Sequence, residues 1–243
     1  MQEFTASTFG VRFAEIYDQG PERADTPAMV TFLERLAAGG PTLELAVGTG
    51  RVALPLARRG VPVTGLEISP EMVAKLRAKP GGDLLPITMG DMAAVPVAGT
   101  FRLIYLVFNT LFNLVTQADQ VRCFQNVATH LTADGMFVVE AFVPDPARYR
   151  DGQEVRTASV AGDDVWLDVT RHDALAQRLD ISHVCLSAAG VRLYPVVLRY
   201  AWPSELDLMA QLAGLRLKER WGGWEREPFT ATSRTHVSVY GRS

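Results

Sequence analysis

Short apolar runs that end at a glycine or a carboxylate alternate along this chain with stretches whose apolar positions recur every three or four residues. The run Thr42-Leu43-Glu44-Leu45-Ala46-Val47 breaks into Gly48-Thr49-Gly50 and then into Arg51-Val52-Ala53-Leu54. That pattern predicts a buried strand, a glycine turn and the first turn of a helix. Further strands are expected over residues 61–66, 84–89, 102–108 and 136–142, and helices over 24–36 and about 117–131. Ser69 followed by Pro70 reads as an N-cap and first helical residue after the second strand. Ala133-Asp134-Gly135 reads as a turn into the fifth strand. Strands and helices alternating in this way predict an α/β fold, a mostly parallel Rossmann-like sheet with helices on both faces.

The last hundred residues follow a different rhythm. Residues 155–160, 165–172, 178–186 and 191–200 alternate like strands, broken by Ala161-Gly162-Asp163 and Ala188-Ala189-Gly190. An antiparallel sheet inserted after the fifth strand is expected. Residues 214–221 and 235–240 alternate as well and predict a C-terminal antiparallel hairpin. The expected organisation is a core with an N-terminal helical lid over 1–143, the inserted sheet over 144–202 and a completion of the core over 203–243. An insertion without a domain-sized core of its own suits a lid or a surface between copies, so a homo-oligomer through this sheet is expected.

A glycine turn between strand and helix binds nucleoside cofactors, because backbone approaches the ligand closely and the free N–H groups of the helix face it. Gly48-Thr49-Gly50 alone leaves two cofactors open. As a dinucleotide fingerprint it places Ala53 in the third glycine position, uses Glu67 as the ribose acid and needs a pyrophosphate at the helix start. Glu44, at the end of the strand that feeds the turn, opposes such a dianion. A sulfonium cation with an α-ammonium group reverses the sign. Singly, each acid is accounted for as a cap or a solvated loop residue. Glu44, Glu67 and Asp91 at three consecutive strand ends exceed what capping needs. Glu67 can accept from both hydroxyls of a ribose and Asp91 from an adenine amine, with Ile68 and Met92 sandwiching the ring.

Glu44-Leu-Ala-Val-Gly-Thr-Gly50, Gly65-Leu-Glu-Ile-Ser-Pro-Glu-Met72 and Gly90-Asp-Met92 resemble, in order and spacing, the cofactor motifs of class I S-adenosylmethionine (AdoMet)-dependent methyltransferases. The resemblance covers residues 42–142, and Ala46 departs from it where many members carry glycine. It implies the seven-stranded methyltransferase sheet and AdoMet as cofactor. By resemblance, Glu44 contacts the methionine amino group, while Ala46, Gly48, Gly50, Arg51 and Val107 surround the cofactor. Glu67 binds the ribose, and Asp91, Ile68 and Met92 bind the adenine. The resemblance also implies that Tyr17 closes over the methyl group as a catalytic residue and that Arg23 meets the methionine carboxylate. The inserted sheet is similar in layout to that of methyltransferases that N-methylate amino sugars and related antibiotic intermediates, which implies an amine acceptor.

Composition narrows the partners. The chain has 243 residues, 48% apolar and 21% charged, enough for one large α/β domain with a lesser elaboration. A net charge of −3 gives no electrostatic footprint for nucleic acid, and Leu106-Val107-Phe108-Asn109-Thr110 contains no Asn-Pro-Pro-Tyr-like sequence. With neither a basic segment leading into an apolar one at the N-terminus nor a membrane-length apolar run, a cytoplasmic enzyme off the membrane is expected. Cys123 and Cys185 are expected to be reduced. No residues show metal-ligand spacing, so metal dependence is not expected.

Methyl transfer is an in-line displacement that rests on positioning. An amine needs an unprotonated lone pair, and a hydroxyl needs a base besides. The candidate acceptor residues are Phe9, Phe108, Asn109, Phe112 and Glu140, with core packing an equal account of Phe112. Among the histidines, His130 ends a helix as a dipole partner and His236 has no obvious partner. His183 shares a strand face with Leu179, Ile181 and Cys185, which favours packing. His172 shares one with Trp166 and Asp168 and is the candidate base. Three functions stay open: N-methyl transfer to a small natural-product amine, O-methyl transfer with a histidine or carboxylate base, and an AdoMet-binding or nicotinamide protein.

Overall fold

A computed structural model describes residues 8–19 and 24–242, so Arg23 lies outside the described residues. The elements run α1 (Thr8–Phe13), α2 (Thr26–Ala37), β1 (Thr42–Leu45), α3 (Ala53–Arg58), β2 (Val63–Glu67), α4 (Pro70–Arg77), β3 (Ile87–Met89) and β4 (Phe101–Leu106). They continue as α5 (Gln117–His130), β5 (Leu131–Phe142), β6 (Gln153–Ala161), β7 (Asp164–Asp173), β8 (Arg178–Ser187), β9 (Gly190–Arg199), α6 (Pro203–Leu212), β10 (Leu215–Trp221) and β11 (Thr235–Arg242). Seven strands form one sheet in the order β10-β11-β5-β4-β1-β2-β3. Strands β1 to β5 are parallel, while β11 runs antiparallel to both β5 and β10. Strand order reverses between β1 and β4, the switch point where such sheets take their ligands.

Period-two alternation sorts the strand residues onto two cores. On β4, Leu103 and Tyr105 join Met29, Leu33 and Leu56 of α2 and α3, whereas Ile104 and Leu106 join Phe124 and Val127 of α5 and Met209 of α6. Ser69 caps α4 as expected, its hydroxyl accepting the Met72 N–H at 3.2 Å. Two expectations shift. The third strand begins only at Ile87, and Leu84 is exposed in the turn before it. The predicted turn at 133–135 is a bulge within β5: pairing passes from Phe101↔Leu131 to Leu103↔Met136, leaving 132–135 opposite Arg102 alone.

Strands β6 to β9 form a separate antiparallel sheet in sequence order. Buried Arg199 fastens it to the main body, donating to Gln120 Oε1 at 2.7 Å on α5 and to Glu205 Oε1 at 2.8 Å on α6. On its far side the sheet packs against α1 through a small cluster of Phe13, Ala14, Met72 and Val196. Gly10 lets α1 approach α4 closely, since a Cβ there would lie 2.2 Å from the Ser69 side chain. No helix among the described residues is long and apolar enough to cross a membrane.

Candidate active site

The C-terminal ends of β1, β2, β3 and β4 and one face of the inserted sheet enclose a cavity of about 490 Å³, within the ~300–1,000 Å³ usual for small-molecule sites. Its floor is the glycine turn. Ala46 has φ 52° and Gly48 φ 57°, so both lie in the left-handed region, which explains why glycine is the easier residue at position 46. A Cβ at Gly48 would meet nothing nearer than the Ala46 carbonyl at 4.0 Å, which leaves the backbone open to a ligand.

Glu67 ties this floor together. Its Oε2 accepts the Gly48 N–H at 2.8 Å, and its Oε1 accepts those of Ile68 at 3.0 Å and Ser69 at 2.9 Å. A carboxylate has about four acceptor positions, so one remains for a ribose hydroxyl. Asp91 uses Oδ1 to accept the Ala93 N–H at 2.8 Å, and Oδ2 has no hydrogen-bond partner among the described residues. Ile68 and Met92 stand on the same wall, as do Tyr17, Phe9, Phe108 and Asn109. Carboxylates at two successive strand ends, an open glycine backbone and two apolar side chains fit a nucleoside whose charged end is cationic.

Several residues expected at the site lie behind its wall. Glu44 points to the α2/α3 side of the sheet, where Oε2 accepts the Tyr105 hydroxyl at 2.8 Å, and burial pushes its carboxyl up to about 8. Gly50 has φ 79°, and a Cβ there would lie 2.9 Å from Leu54, so that glycine serves the turn and its packing. Arg51 donates to Thr26 Oγ1 at 3.0 Å and lies over the Phe108 ring. Val107 is core, and Phe112 is fully buried edge-on against Phe142, which decides its two accounts for packing. Glu140 is buried and its Oε2 accepts the Phe108 N–H at 2.7 Å, holding the loop that carries Phe108 and Asn109. These residues support the wall from behind because alternate strand residues face opposite sides of the sheet.

The inserted sheet corrects the histidine assignment. His172 bonds to the Tyr200 hydroxyl at 2.9 Å through Nε2 and lies against Tyr149 with its ring tilted by 38°, off the cavity wall. His183 is on the wall, with Nδ1 2.6 Å from Asp168 Oδ1. The cross-strand register explains this: Asp168 pairs with His183 and His172 with Leu179, so the two faces read separately from the sequence are one face. Asp168, Arg156, Glu154 and Thr170 line the cavity from that face, and none of the four had been a candidate. Only the register could have revealed them, and alternation within single strands does not specify register.

A "Methyltransferase domain" family description matches residues 42–135. The CcbJ methyltransferase from Streptomyces caelestis is 41% identical in sequence, with a TM-score of 0.93 over 99% of this chain and 100% of that one. The cypemycin N-terminal methyltransferase of a Streptomyces species is 27% identical over 207 residues, 84% of each chain. The dTDP-3-amino-3,6-dideoxy-alpha-D-glucopyranose N,N-dimethyltransferase of Streptomyces fradiae is 32% identical over 136 residues, 52% of each. With glycine turn, strand-end acids, sheet order and full-length similarity in agreement, the chain belongs to the S-adenosylmethionine-dependent methyltransferases.

Proposed function

We propose that this enzyme methylates an amine nitrogen of a small natural-product acceptor held between the strand ends and the inserted sheet. The observation that carries this reading is the two-sided cavity. Its floor bears Glu67 and Asp91 for a nucleoside, and its roof bears Asp168, Glu154 and Thr170 together with the apolar Ile181 and Leu198. The two Streptomyces relatives, an N-terminal methyltransferase and an amino-sugar N,N-dimethyltransferase, favour nitrogen over oxygen.

AdoMet, when bound, supplies an electrophilic methyl group whose departure leaves a neutral sulfide. The protein's part is to hold and align. Glu67 and Asp91 fix the nucleoside, Glu44 supports the turn from beneath through its bond to Tyr105, and Arg23 pairs with the cofactor carboxylate. Tyr17 covers the methyl group, and Phe9, Phe108 and Asn109 present the nucleophile in line. Residues 1–143 and 203–243 act as the cofactor-binding body and 144–202 as the acceptor roof. Screening amine and hydroxyl acceptors with mass detection of the added methyl tests the reading, and exclusive methylation of hydroxyls sinks it. Binding of AdoMet undiminished in Glu67→Ala removes the assigned cofactor site.

The outward face of the inserted sheet exposes Val155, Val169 and Leu193, an apolar surface suited to a second copy in a cytoplasmic homo-oligomer. Light scattering after chromatography distinguishes a monomer from that assembly.

A further inference from the structure

We infer that His183, braced by Asp168 on the cavity roof, takes the proton from the incoming nucleophile, so that the acceptor the enzyme recognises is an amine arriving as its ammonium form. This deepens the methyl-transfer reading and rests on it. His183 and Asp168 are register partners on β8 and β7, with Nδ1 and Oδ1 2.6 Å apart. The histidine side chain is one-third exposed, at 33%, and lines the cavity. Its Nε2 has no hydrogen-bond partner among the described residues.

The surroundings fix which nitrogen is available. The other oxygen of Asp168 is bound by Arg156 Nη2 at 2.5 Å. The His183 hydrogen bond, ahead of the Arg156 one, holds the Asp168 carboxyl below the ordinary carboxylate range. An ionised carboxylate only accepts, so Nδ1 carries the hydrogen and Nε2 presents its lone pair. Around the ring, α1 offers the edge of Phe13 at 5.8 Å. On β9 the register partner is Tyr194, stacked on Trp166, with Arg192 next on that face. Glu154, the next acid on the sheet face, is held by Arg148 at 2.8 Å.

An aliphatic amine is an ammonium ion near neutral pH and has no lone pair to attack with. In the proposed step an N–H bond of that ammonium breaks and an Nε2–H bond forms. The nitrogen pair released makes the new N–C bond as the C–S bond breaks, and its electrons go to sulfur. The product is the methylated ammonium. His183 then returns its proton to solvent, and Asp168 stabilises the imidazolium meanwhile. His172, bonded to Tyr200 behind the wall, has no such access.

Two measurements decide this. In the first, histidine-labelled enzyme saturated with S-adenosylhomocysteine is examined by ¹⁵N NMR at pH 8, the His183 signals being those lost in His183→Gln. A protonated Nδ1 with a bare Nε2, and loss of that preference in Asp168→Asn, is expected. The opposite tautomer, or both nitrogens protonated, overturns the assignment without any acceptor being present. In the second, kcat/KM is followed against pH with dTDP-3-amino-3,6-dideoxyglucose, a short peptide with a free N-terminus, and any acceptor the screen yields. His183→Gln is expected to lose roughly 10²–10⁴-fold and the low-pH limb of the profile, to keep wild-type AdoMet affinity, and His183→Ala to recover with added imidazole. Activity within threefold of wild type with an unchanged profile overturns it. A screen that finds no amine acceptor counts against the proposed function, while the tautomer measurement still decides the role of His183.

Discussion

The Tyr105 hydroxyl donates to Oε2 of Glu44 at 2.8 Å, with both side chains buried behind the glycine turn. Desolvation raises the Glu44 carboxyl from its ordinary 4.5 to about 8, against the Tyr105 bond and the Arg51 charge that lower it. The folded state therefore favours protonated Glu44, and its contribution to stability is lost as pH rises from about 4.5 through about 8. Glu44→Gln keeps an acceptor for Tyr105 and removes the ionisation. Its stability relative to wild type is expected to grow with pH across that window, by at most about 1.4 kcal/mol per pH unit. Paired thermal scans from pH 5 to pH 8 check this, and a gap that does not change with pH refutes it.

The segment bearing Tyr17 is latched to the cavity floor. Asp18 Oδ1 accepts the Thr49 hydroxyl at 2.8 Å, and Oδ2 pairs with Lys79 Nζ, also at 2.8 Å. Partly exposed pairs of this kind contribute about 0.2–1 kcal/mol. Asp18→Asn is expected to weaken AdoMet binding a few-fold, and Lys79→Met to add little in the double variant. Calorimetric titration at low and high salt is the measurement, with the wild-type advantage shrinking at high salt.

Phe108 and Asn109 take φ of 59° and 60° in succession, a strained turn at the mouth of the cavity. Asn109 Oδ1 accepts the Phe142 N–H at 2.6 Å and so cross-braces it to β5. Asn109→Ala loses this bond while keeping the strain and should cost about 1–3 kcal/mol in chemical denaturation. Asn109→Gly, which relieves the left-handed penalty, should recover part of that loss. A glycine variant no better than the alanine one would show that strain is not stored there.

His236 is buried on β11, where desolvation, then the Arg220 charge, lowers it from 6.5 to about 3. Its folded form stays neutral while the unfolded chain gains a proton. Stability present above pH 6.5 is thus lost as pH falls toward about 3. His236→Gln should flatten the acid limb of the stability profile, read as denaturation midpoints from pH 7 to pH 4. An unaltered acid limb would assign that loss to other groups.

The parallel core was legible because its strands are short apolar runs bounded by glycine, proline and acids, and Ser69-Pro70 marks a helix start on local grounds. Glu67, Asp91, Ile68 and Met92 sit at strand ends, so the sequence placed them at the cavity. Side-chain direction was less legible. Glu44 lies one residue and Glu140 two residues inside the end of its strand, and each is turned to a buried partner, the Tyr105 hydroxyl and the Phe108 N–H, which strand position alone does not reveal. The roof of the cavity was the least legible, because Asp168 and His183 are fifteen positions apart and meet only through the β7–β8 register. The bulge at 132–135 escaped for a similar reason, since Ala133-Asp134-Gly135 has turn composition but sits opposite Arg102 in the ladder.

The inserted sheet carries its chemistry on every second residue. Asp168 and Thr170 face the cavity, while Val169 between them faces outward and is 40% exposed. Cavity lining and outer surface are thus written on interleaved positions of the same strands, and substitutions can revise either without disturbing the other. A single inserted or deleted residue within β7 would exchange both at once. Descendants of this chain that reshape this side of the cavity are therefore confined to point changes along these strands, with length variation restricted to turns such as Ala161-Gly162.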